Sequence, residues 1–252
     1  MSYIENPKMK GSGVIACIPQ KGKCPVNCKD CFFQSGRSYL EPLADNLPNM
    51  PTLEEVGHRI VRVNDGNDSN NDRDSVMKAC EKYSQKFYNT SIPHDLENFK
   101  DPVVLTVNPG RETDGTPVLL DPIPKNLMFV RVRTNTWNIE NVVDPVVKHY
   151  TARGVPVVLT FMAYYEEQAI PDGSNPSLYT YRKRTLNSYW AITTAGWESV
   201  MLRYMTSDKT QRSLVYSCGK VEGELGTTRC SRCGNCLREY FVTKERLLEQ
   251  KT

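Results

Sequence analysis

The sequence predicts an α/β fold built on a mostly parallel sheet. Two observations lead to this prediction: short apolar, β-branched runs recur along the chain, and stretches with helical spacing separate some of them. Several runs are apolar on both faces, as buried parallel strands are. With 252 residues, 39% hydrophobic and 24% charged, the chain suffices for one substantial globular domain and a small appendage.

Six apolar runs are the candidate strands, and most of them end in a cluster of turn residues. They are Gly13–Pro19, Arg59–Val63, Lys86–Ile92, Pro102–Val107, Leu127–Val132 and Val155–Met162. The carboxyl ends of parallel strands meet at one edge of a sheet, and that edge holds the active site of α/β enzymes. Polar residues directly after these strands are therefore candidate site residues.

Three stretches predict helices from the spacing of their apolar residues. They are Asp74–Tyr83, Glu140–Arg153 and Ser188–Met205. Gly154 is a stop signal for the second stretch, and Pro145 is expected to break it early. Alternation of these helices with the strands predicts βα units around the parallel sheet.

The most specific motif is a group of three cysteines directly after the first strand. Cys24, Cys28 and Cys31 have the spacing CxxxCxxC. Three thiolates on one loop suit three irons of a [4Fe–4S] cluster and leave the fourth iron open to a small molecule, whereas ordinary ferredoxin clusters take four cysteines. A zinc site also takes four ligands, and Cys17 would complete such a set.

The CxxxCxxC motif and its position resemble the radical S-adenosylmethionine (SAM) enzyme family. The resemblance covers the βα order through about Met162. It implies a partial (β/α)6 TIM-like barrel over residues 1–205, followed by a cysteine-rich, metal-binding extension over residues 206–252. It further implies that SAM binds the open iron and is reductively cleaved to a 5′-deoxyadenosyl radical, which takes a hydrogen atom from the substrate.

The same resemblance indicates which residues contact SAM. The family places backbone groups from the end of the second strand at the amino end of SAM, and the matching segment here is Asn64-Asp65-Gly66-Asn67-Asp68. This composition is also typical of a solvated turn. Asn108 follows the fourth strand, and Arg131 or Arg133 of the fifth is suited to pair with the SAM carboxylate.

One position departs from the family pattern. The residue before the third cysteine is usually aromatic, where it packs near the adenine, but this chain has Asp30. Phe32 and Phe33 are the alternative apolar contacts for the adenine.

A second cysteine group lies near the C-terminus. Its members are Cys218, Cys230, Cys233 and Cys236, with the spacing C-x11-C-x2-C-x2-C. Four thiolates so spaced predict either a second [4Fe–4S] cluster, for electron relay or structure, or a structural zinc ion. Nine cysteines in all, mostly clustered, favour metal over disulfides in a reducing compartment.

The remaining features limit the location and the partners. No apolar run approaches the ~20 residues of a membrane span, and the N-terminus lacks the apolar region of a secretory signal, so we expect a cytoplasmic protein without membrane contact. The expected partners are a small or nucleotide-like substrate and a reductant such as flavodoxin or ferredoxin. The basic, aromatic run of residues 179–190 leaves nucleic acid open as an alternative to a solvated helix entry.

Two other functions compete with the radical SAM enzyme. One is a non-catalytic zinc protein with two four-cysteine sites, and the other is a simple iron–sulfur electron carrier. Both need Cys17 as the fourth ligand of the N-terminal site. Replacing Cys17 with Ala therefore discriminates between the iron–sulfur hypotheses, because it should destroy the N-terminal cluster of an electron carrier and leave that of a radical SAM enzyme.

Overall fold

Seven parallel strands form one sheet that curls into a half-barrel. The computed structural model describes residues 2–28, 31, 33–34, 36, 38–107, 116–161, 163–165, 170, 175–183, 188–204, 213–218 and 230–249. All of the predicted strands are present, and the predicted α/β class is confirmed. Within the described residues, no helix has the length and apolar character needed to cross a membrane.

The strands of the main sheet follow one another in chain order, and a late strand is added at the edge. They are β1 (Val14–Cys17), β2 (Ile60–Val63), β3 (Lys86–Thr90), β4 (Val103–Val107), β5 (Leu127–Thr134), β6 (Val157–Phe161) and, beside β6, β10 (Val215–Ser217). Every pairing is parallel. A separate antiparallel sheet has the order β7 (Ala163–Tyr164), β9 (Tyr189–Ile192), β8 (Tyr179–Arg182).

The helices are short apart from the last one. They are α1 (Leu43–Asn46), α2 (Leu53–Val56), α3 (Arg73–Ala79), α4 (Asp144–Thr151), α5 (Thr194–Leu202), α6 (Cys230–Cys233) and α7 (Asn235–Glu249). A π-helical turn, Ile139–Val143, leads into α4, and 3-10 turns lie at Leu96–Asn98 and Pro176–Leu178. Only the first 3-10 turn connects β3 to β4, and the described residues between β4 and β5 contain no helix.

Two helix predictions need correction. Pro145 does not break its helix: it lies in the first turn of α4, and the helical backbone of the turn Ile139–Val143 continues through it. The stretch Ser188–Met205 is not one helix. Its start is strand β9, which pairs with β8, and α5 begins only after Thr193, whose hydroxyl caps it by accepting from the Gly196 N–H (3.2 Å).

Alternate residues of each strand point to opposite faces of the main sheet. The helix-covered face packs against α2 to α5 and is apolar along the whole strand length, as in β4, where Val103, Leu105 and Val107 are at most 1% exposed. The opposite face, here called the inner face, is apolar only near the strand starts. Towards the strand ends it carries Arg62, Asn89, Thr106, Arg131, Arg133 and Thr160, here called the inner polar layer.

The C-terminal helix α7 packs on the apolar part of the inner face. Tyr240 is 2% exposed, and its ring centroid lies 6.5 Å from that of Phe87. At its far end, the Arg246 guanidinium donates to the Leu127 carbonyl (2.7 Å). The described parts of residues 206–252 thus share the core of the sheet, while the predicted boundary after residue 205 stays a prediction.

Candidate functional site

The cysteines of the CxxxCxxC motif lie on the loop that leaves the carboxyl end of β1. Cys24 is buried, and Cys28 and Cys31 are half-buried. The loop is folded into tight turns, since the Cys31 N–H donates to the Cys28 carbonyl and the Gln34 N–H to the Cys31 carbonyl, each at 3.2 Å. The Gln34 side chain closes the loop by donating to the Cys24 carbonyl (2.8 Å).

The thiols of this loop are close enough to affect one another electrostatically. The pKa of Cys24 is raised to about 11, first by burial and then by Asp68, Cys28 and Cys31, against a hydrogen bond from the Val26 N–H that lowers it. Metal binding to such a thiol requires loss of its proton. A cation bound between the three thiolates would attract each of them and so offset their mutual repulsion.

Cys17 lies apart from this loop, on the helix-covered face of β1. It is 0% exposed, and its Sγ is 3.9 Å from Sγ of Cys80, which is equally buried. Burial and this contact raise the pKa of the Cys17 thiol well above its usual value. Cys17 therefore belongs to the hydrophobic core, and its side chain is not directed to the CxxxCxxC loop.

The loop after β2 packs directly against the loop after β1. Phe33 is 4% exposed, and a Cβ added to Gly66 would lie 2.0 Å from its ring. The close approach that Gly66 permits is thus to Phe33, a candidate adenine contact, which packs in a small apolar cluster with Ile18 and Leu40. Asp30 and Phe32 lie outside the described residues.

Asn64 is the residue at which the chain turns out of β2. It has a left-handed backbone (φ 63°), and its N–H donates to the Cys17 carbonyl (2.8 Å). Its side chain is buried and donates to Ser69 Oγ (3.1 Å). The side-chain oxygen, Oδ1, is buried without a hydrogen-bond partner in the described part of the chain, so it can still accept a hydrogen bond.

Asp65 and Asp68 are both held by protein groups. Asp65 forms an ion pair with Arg62 (2.9 Å) and accepts from Asn6. Asp68 is 3% exposed and ties the loop to the end of β3. Its two oxygens accept from the Thr90 hydroxyl (2.6 Å), the Asn70 N–H (2.9 Å), and the Ser91 N–H (2.7 Å) and hydroxyl (2.9 Å).

The other predicted SAM contacts are dispersed. Asn67 accepts from the Asp68 N–H (2.8 Å) and borders a cleft of about 410 Å³ between residues 19–25 and α3. Arg133 is half-buried in the inner polar layer, next to Thr160 of β6. Asn108 lies outside the described residues.

The C-terminal cysteines lie on the inner face of the sheet. Cys218 directly follows β10, and its N–H donates to the Leu159 carbonyl of β6 (2.9 Å). Cys218, Cys230 and Cys236 pack against the apolar residues of the inner face, and Cys233 ends α6. Burial raises the pKa of Cys236 to about 11, and Cys218 and Cys230 contribute to the rise.

Two arginines of the inner polar layer accompany these cysteines. Arg62 lowers the pKa of Cys230 and Cys236 against the effect of burial, and Arg131 lowers that of Cys236. Arg62 was not among the predicted site residues. Its alternation with Ile60 along β2 was the available signal, since it puts a charge on the same face of the strand as a buried apolar residue.

Neither the cysteines of the CxxxCxxC loop nor the C-terminal cysteines are arranged as a closed metal site. Among the described residues, no three His, Cys, Asp or Glu side chains converge closely enough to hold a metal ion. None of the nine cysteines forms a disulfide, so all their thiols are available as donors. Compared with protein-family models, curated proteins and solved structures, the chain has no significant match.

Proposed function

We propose that the protein is a radical SAM enzyme, in which Cys24, Cys28 and Cys31 hold a [4Fe–4S] cluster whose fourth iron binds SAM. The proposal is carried by one observation: Cys17, the only cysteine near enough in sequence to complete a four-thiolate set, is buried on the helix-covered face against Cys80 (3.9 Å). The N-terminal loop therefore offers three thiolates as metal ligands, those of Cys24, Cys28 and Cys31. That number suits a cluster with one open iron and does not suit a closed zinc site.

The chemistry of the three thiols and the position of their loop in the fold support this assignment. The cysteine loop leaves the carboxyl end of a parallel strand, at the edge where α/β enzymes bind ligands. It is braced by Phe33 against Gly66 of the neighbouring loop. A curled parallel sheet is also compatible with the partial (β/α)6 TIM-like barrel of the radical SAM family, although a regular helix is missing between β3 and β4.

The loop after β2 offers one group for SAM itself. Asn64 Oδ1 is a buried acceptor without a donor in the described part of the chain, at the position expected for the amino end of SAM. It would accept a hydrogen bond from the ammonium group. Asp65 and Asp68 are less available, because their oxygens already accept from protein donors.

A cluster held by these three cysteines would supply the electron for reductive cleavage of SAM to methionine and a 5′-deoxyadenosyl radical, which would abstract a hydrogen atom from the substrate. The chain itself holds the three thiolates, positions SAM and keeps water away from the reacting atoms. The C-terminal cysteines are proposed to hold a second [4Fe–4S] cluster, with zinc as the alternative. We further propose that a small or nucleotide-like molecule is the substrate, that flavodoxin or ferredoxin is the reductant, and that the enzyme acts in the cytoplasm.

The test is the metal content and the EPR spectrum of anaerobically reconstituted protein. We expect about eight irons per chain, or about four irons with one zinc, and an EPR signal of the dithionite-reduced protein that changes when SAM is added. Zinc without iron after reconstitution would overturn the proposal and leave a zinc-binding protein. Iron without a response to SAM would leave an electron carrier.

Two variants separate the enzyme from its rivals. Cys17→Ala should retain the N-terminal cluster and its SAM response, because Cys17 is a core residue. Cys24→Ala should abolish both. Loss of the cluster in Cys17→Ala, with circular dichroism and thermal unfolding close to those of the wild-type protein, would identify Cys17 as a ligand and contradict the proposal.

A further inference from the structure

The inner polar layer brings two arginines to the C-terminal cysteines. Arg62 follows Ile60, and Arg131 follows Phe129, at the alternation that puts each side chain on the inner face. Tyr216 and Cys218 extend the same face on β10 and after it. The sheet therefore collects the two cations and the thiols on one surface, although they are distant in the sequence.

The positive charge of this pair is only partly balanced within the described residues. Arg62 pairs with Asp65 through Nη2, but its Nε is buried without an acceptor. Arg131 has no carboxylate within ion-pair distance in the described part of the chain. Its contacts are a 3.4 Å hydrogen bond to Asn89 and the Phe129 ring at 5.8 Å. Burial and the charge of Arg62 lower the pKa of Arg131, as expected for two cations that face each other.

Four thiolates on a divalent metal or a [4Fe–4S] core leave a net charge of about −2. Burying that charge on a partly apolar face is unfavourable unless cations lie beside it. Arg62 and Arg131 are half-buried on the inner face, the face against which Cys218, Cys230 and Cys236 pack. Hydrogen bonds and charges around the sulfur atoms also set the affinity and the reduction potential of such a centre.

We infer that Arg62 and Arg131 are positioning residues for a metal–thiolate centre at Cys218, Cys230, Cys233 and Cys236, and that this centre forms part of the inner wall of the half-barrel. The inference rests on the part of the proposed function that assigns a metal to these cysteines, and it does not depend on SAM. It gives Arg131 a partner other than the SAM carboxylate. A peripheral zinc staple, by contrast, would need neither arginine.

The test uses full-length protein in which Cys24, Cys28 and Cys31 are all replaced by Ala, so that only the C-terminal group can bind metal. Co²⁺ is the probe, because its thiolate charge-transfer absorption reports binding whichever metal is native. Arg131→Met in this background should weaken Co²⁺ binding at least tenfold. Arg153→Met, which changes an exposed arginine after α4, is the matched control and should leave the affinity unchanged.

The reduction potential gives a second readout after iron–sulfur reconstitution. Arg131→Met removes one positive charge near this cluster, so the reduction potential of the cluster should fall. A fall of about 59 mV corresponds to a tenfold change in the equilibrium constant of a one-electron reduction. Unchanged Co²⁺ affinity in a folded Arg131→Met variant, or no Co²⁺ binding by the triple-Ala background, would overturn the inference. Neither result would contradict the radical SAM proposal, which is tested separately by the SAM-dependent change in the EPR signal of the cluster at Cys24, Cys28 and Cys31.

Discussion

Cysteines on the two faces of the main sheet have opposite environments. Cys17 lies on the helix-covered face with Cys80, in a hydrophobic core where burial raises the pKa of its thiol more than Lys82 lowers it, and both cysteines are 0% exposed. Cys218 and Cys236 lie on the inner face, where Arg62 and Arg131 are close enough to interact with them. The comparison teaches that the number of cysteines in a sequence is not the number of metal ligands. The face to which each one points decides its role.

The two faces also differ along the length of the strands. On the helix-covered face, β4 presents only apolar side chains, and on the inner face it changes from Val104 to Thr106. Apolar packing is thus concentrated on one face, and polar side chains lie at the carboxyl end of the other. We therefore expect substitutions on the two faces to have effects of different kinds.

The largest expected effect is the difference in thiol reactivity between the faces. Cys17 and Cys80 should react with iodoacetamide only through global unfolding, which costs about 5–15 kcal/mol in typical domains. Their labelling in the metal-free, reduced protein should be at least about a thousandfold slower than that of Cys218. Pulsed labelling with peptide mass spectrometry measures the rates. Labelling of Cys17 at the rate of Cys218 would remove the distinction between the faces.

The second prediction compares the loss of stability caused by substitutions at two neighbouring residues of β4. Leu105→Ala removes a side chain that is 0% exposed on the helix-covered face and should lower the free energy of unfolding by about 2–5 kcal/mol. Thr106→Ala, on the inner face, should cost less than about 1 kcal/mol. Urea unfolding followed by circular dichroism measures both. Equal losses would mean that the inner polar layer contributes to stability as the core does.

A third prediction concerns the polar contacts that fix the carboxyl edge. Asp68→Asn replaces a carboxylate oxygen with an amide group that cannot accept the hydrogen bonds of Ser91, so we expect a loss of about 2–3 kcal/mol in the free energy of unfolding. Asp74→Asn is the matched control, since the Asp74 side chain is 92% exposed. An equally small effect at both positions would show that the edge is not held by Asp68.

A fourth prediction concerns the contact between the two loops. Gly66→Ala places a Cβ 2.0 Å from the Phe33 ring and should cost about 1–3 kcal/mol in the free energy of unfolding. It should also reduce the iron bound at the CxxxCxxC loop, because Phe33 follows Cys31 closely. Phe33→Leu in the same chain should recover part of the loss. Additive effects in this double-mutant cycle would contradict the contact.

The sequence predicts the positions of β1 to β6 well and the small antiparallel sheet poorly. Each apolar run of β1 to β6 is bounded by turn residues, so local pattern suffices to locate it. Tyr189–Ile192 is misassigned to a helix because its apolar residues continue the spacing of α5, and only pairing with β8 makes it a strand.

For the site, the sequence supplies the ligand candidates but not their surroundings. The spacing of Cys24, Cys28 and Cys31 is visible in one loop. Phe33 against Gly66, or Arg62 beside Cys236, depends on how distant segments pack. The exclusion of Cys17 likewise depends on which face of β1 it occupies, and this follows from burial and not from spacing.

The smallest expected effect concerns an ion pair at the edge of the helix-covered layer, for comparison with the Arg62–Asp65 pair on the inner face. Asp144, at the start of α4, pairs with Arg203 (2.5 Å) and accepts from the Tyr204 hydroxyl (2.7 Å). Burial raises the pKa of Asp144, but these two partners outweigh it, and the net shift is downward.

A carboxylate with a lowered pKa in the folded state stabilises the protein above its unfolded pKa of about 3.9 and loses that contribution as the pH falls through its folded pKa. Because the Arg203 side chain is 49% exposed, Asp144→Asn should cost at most about 1 kcal/mol at pH 7. The difference from the wild-type protein should shrink as the pH falls below 4. Urea unfolding at several pH values measures it, and a difference that grows on acidification would contradict the assigned pair.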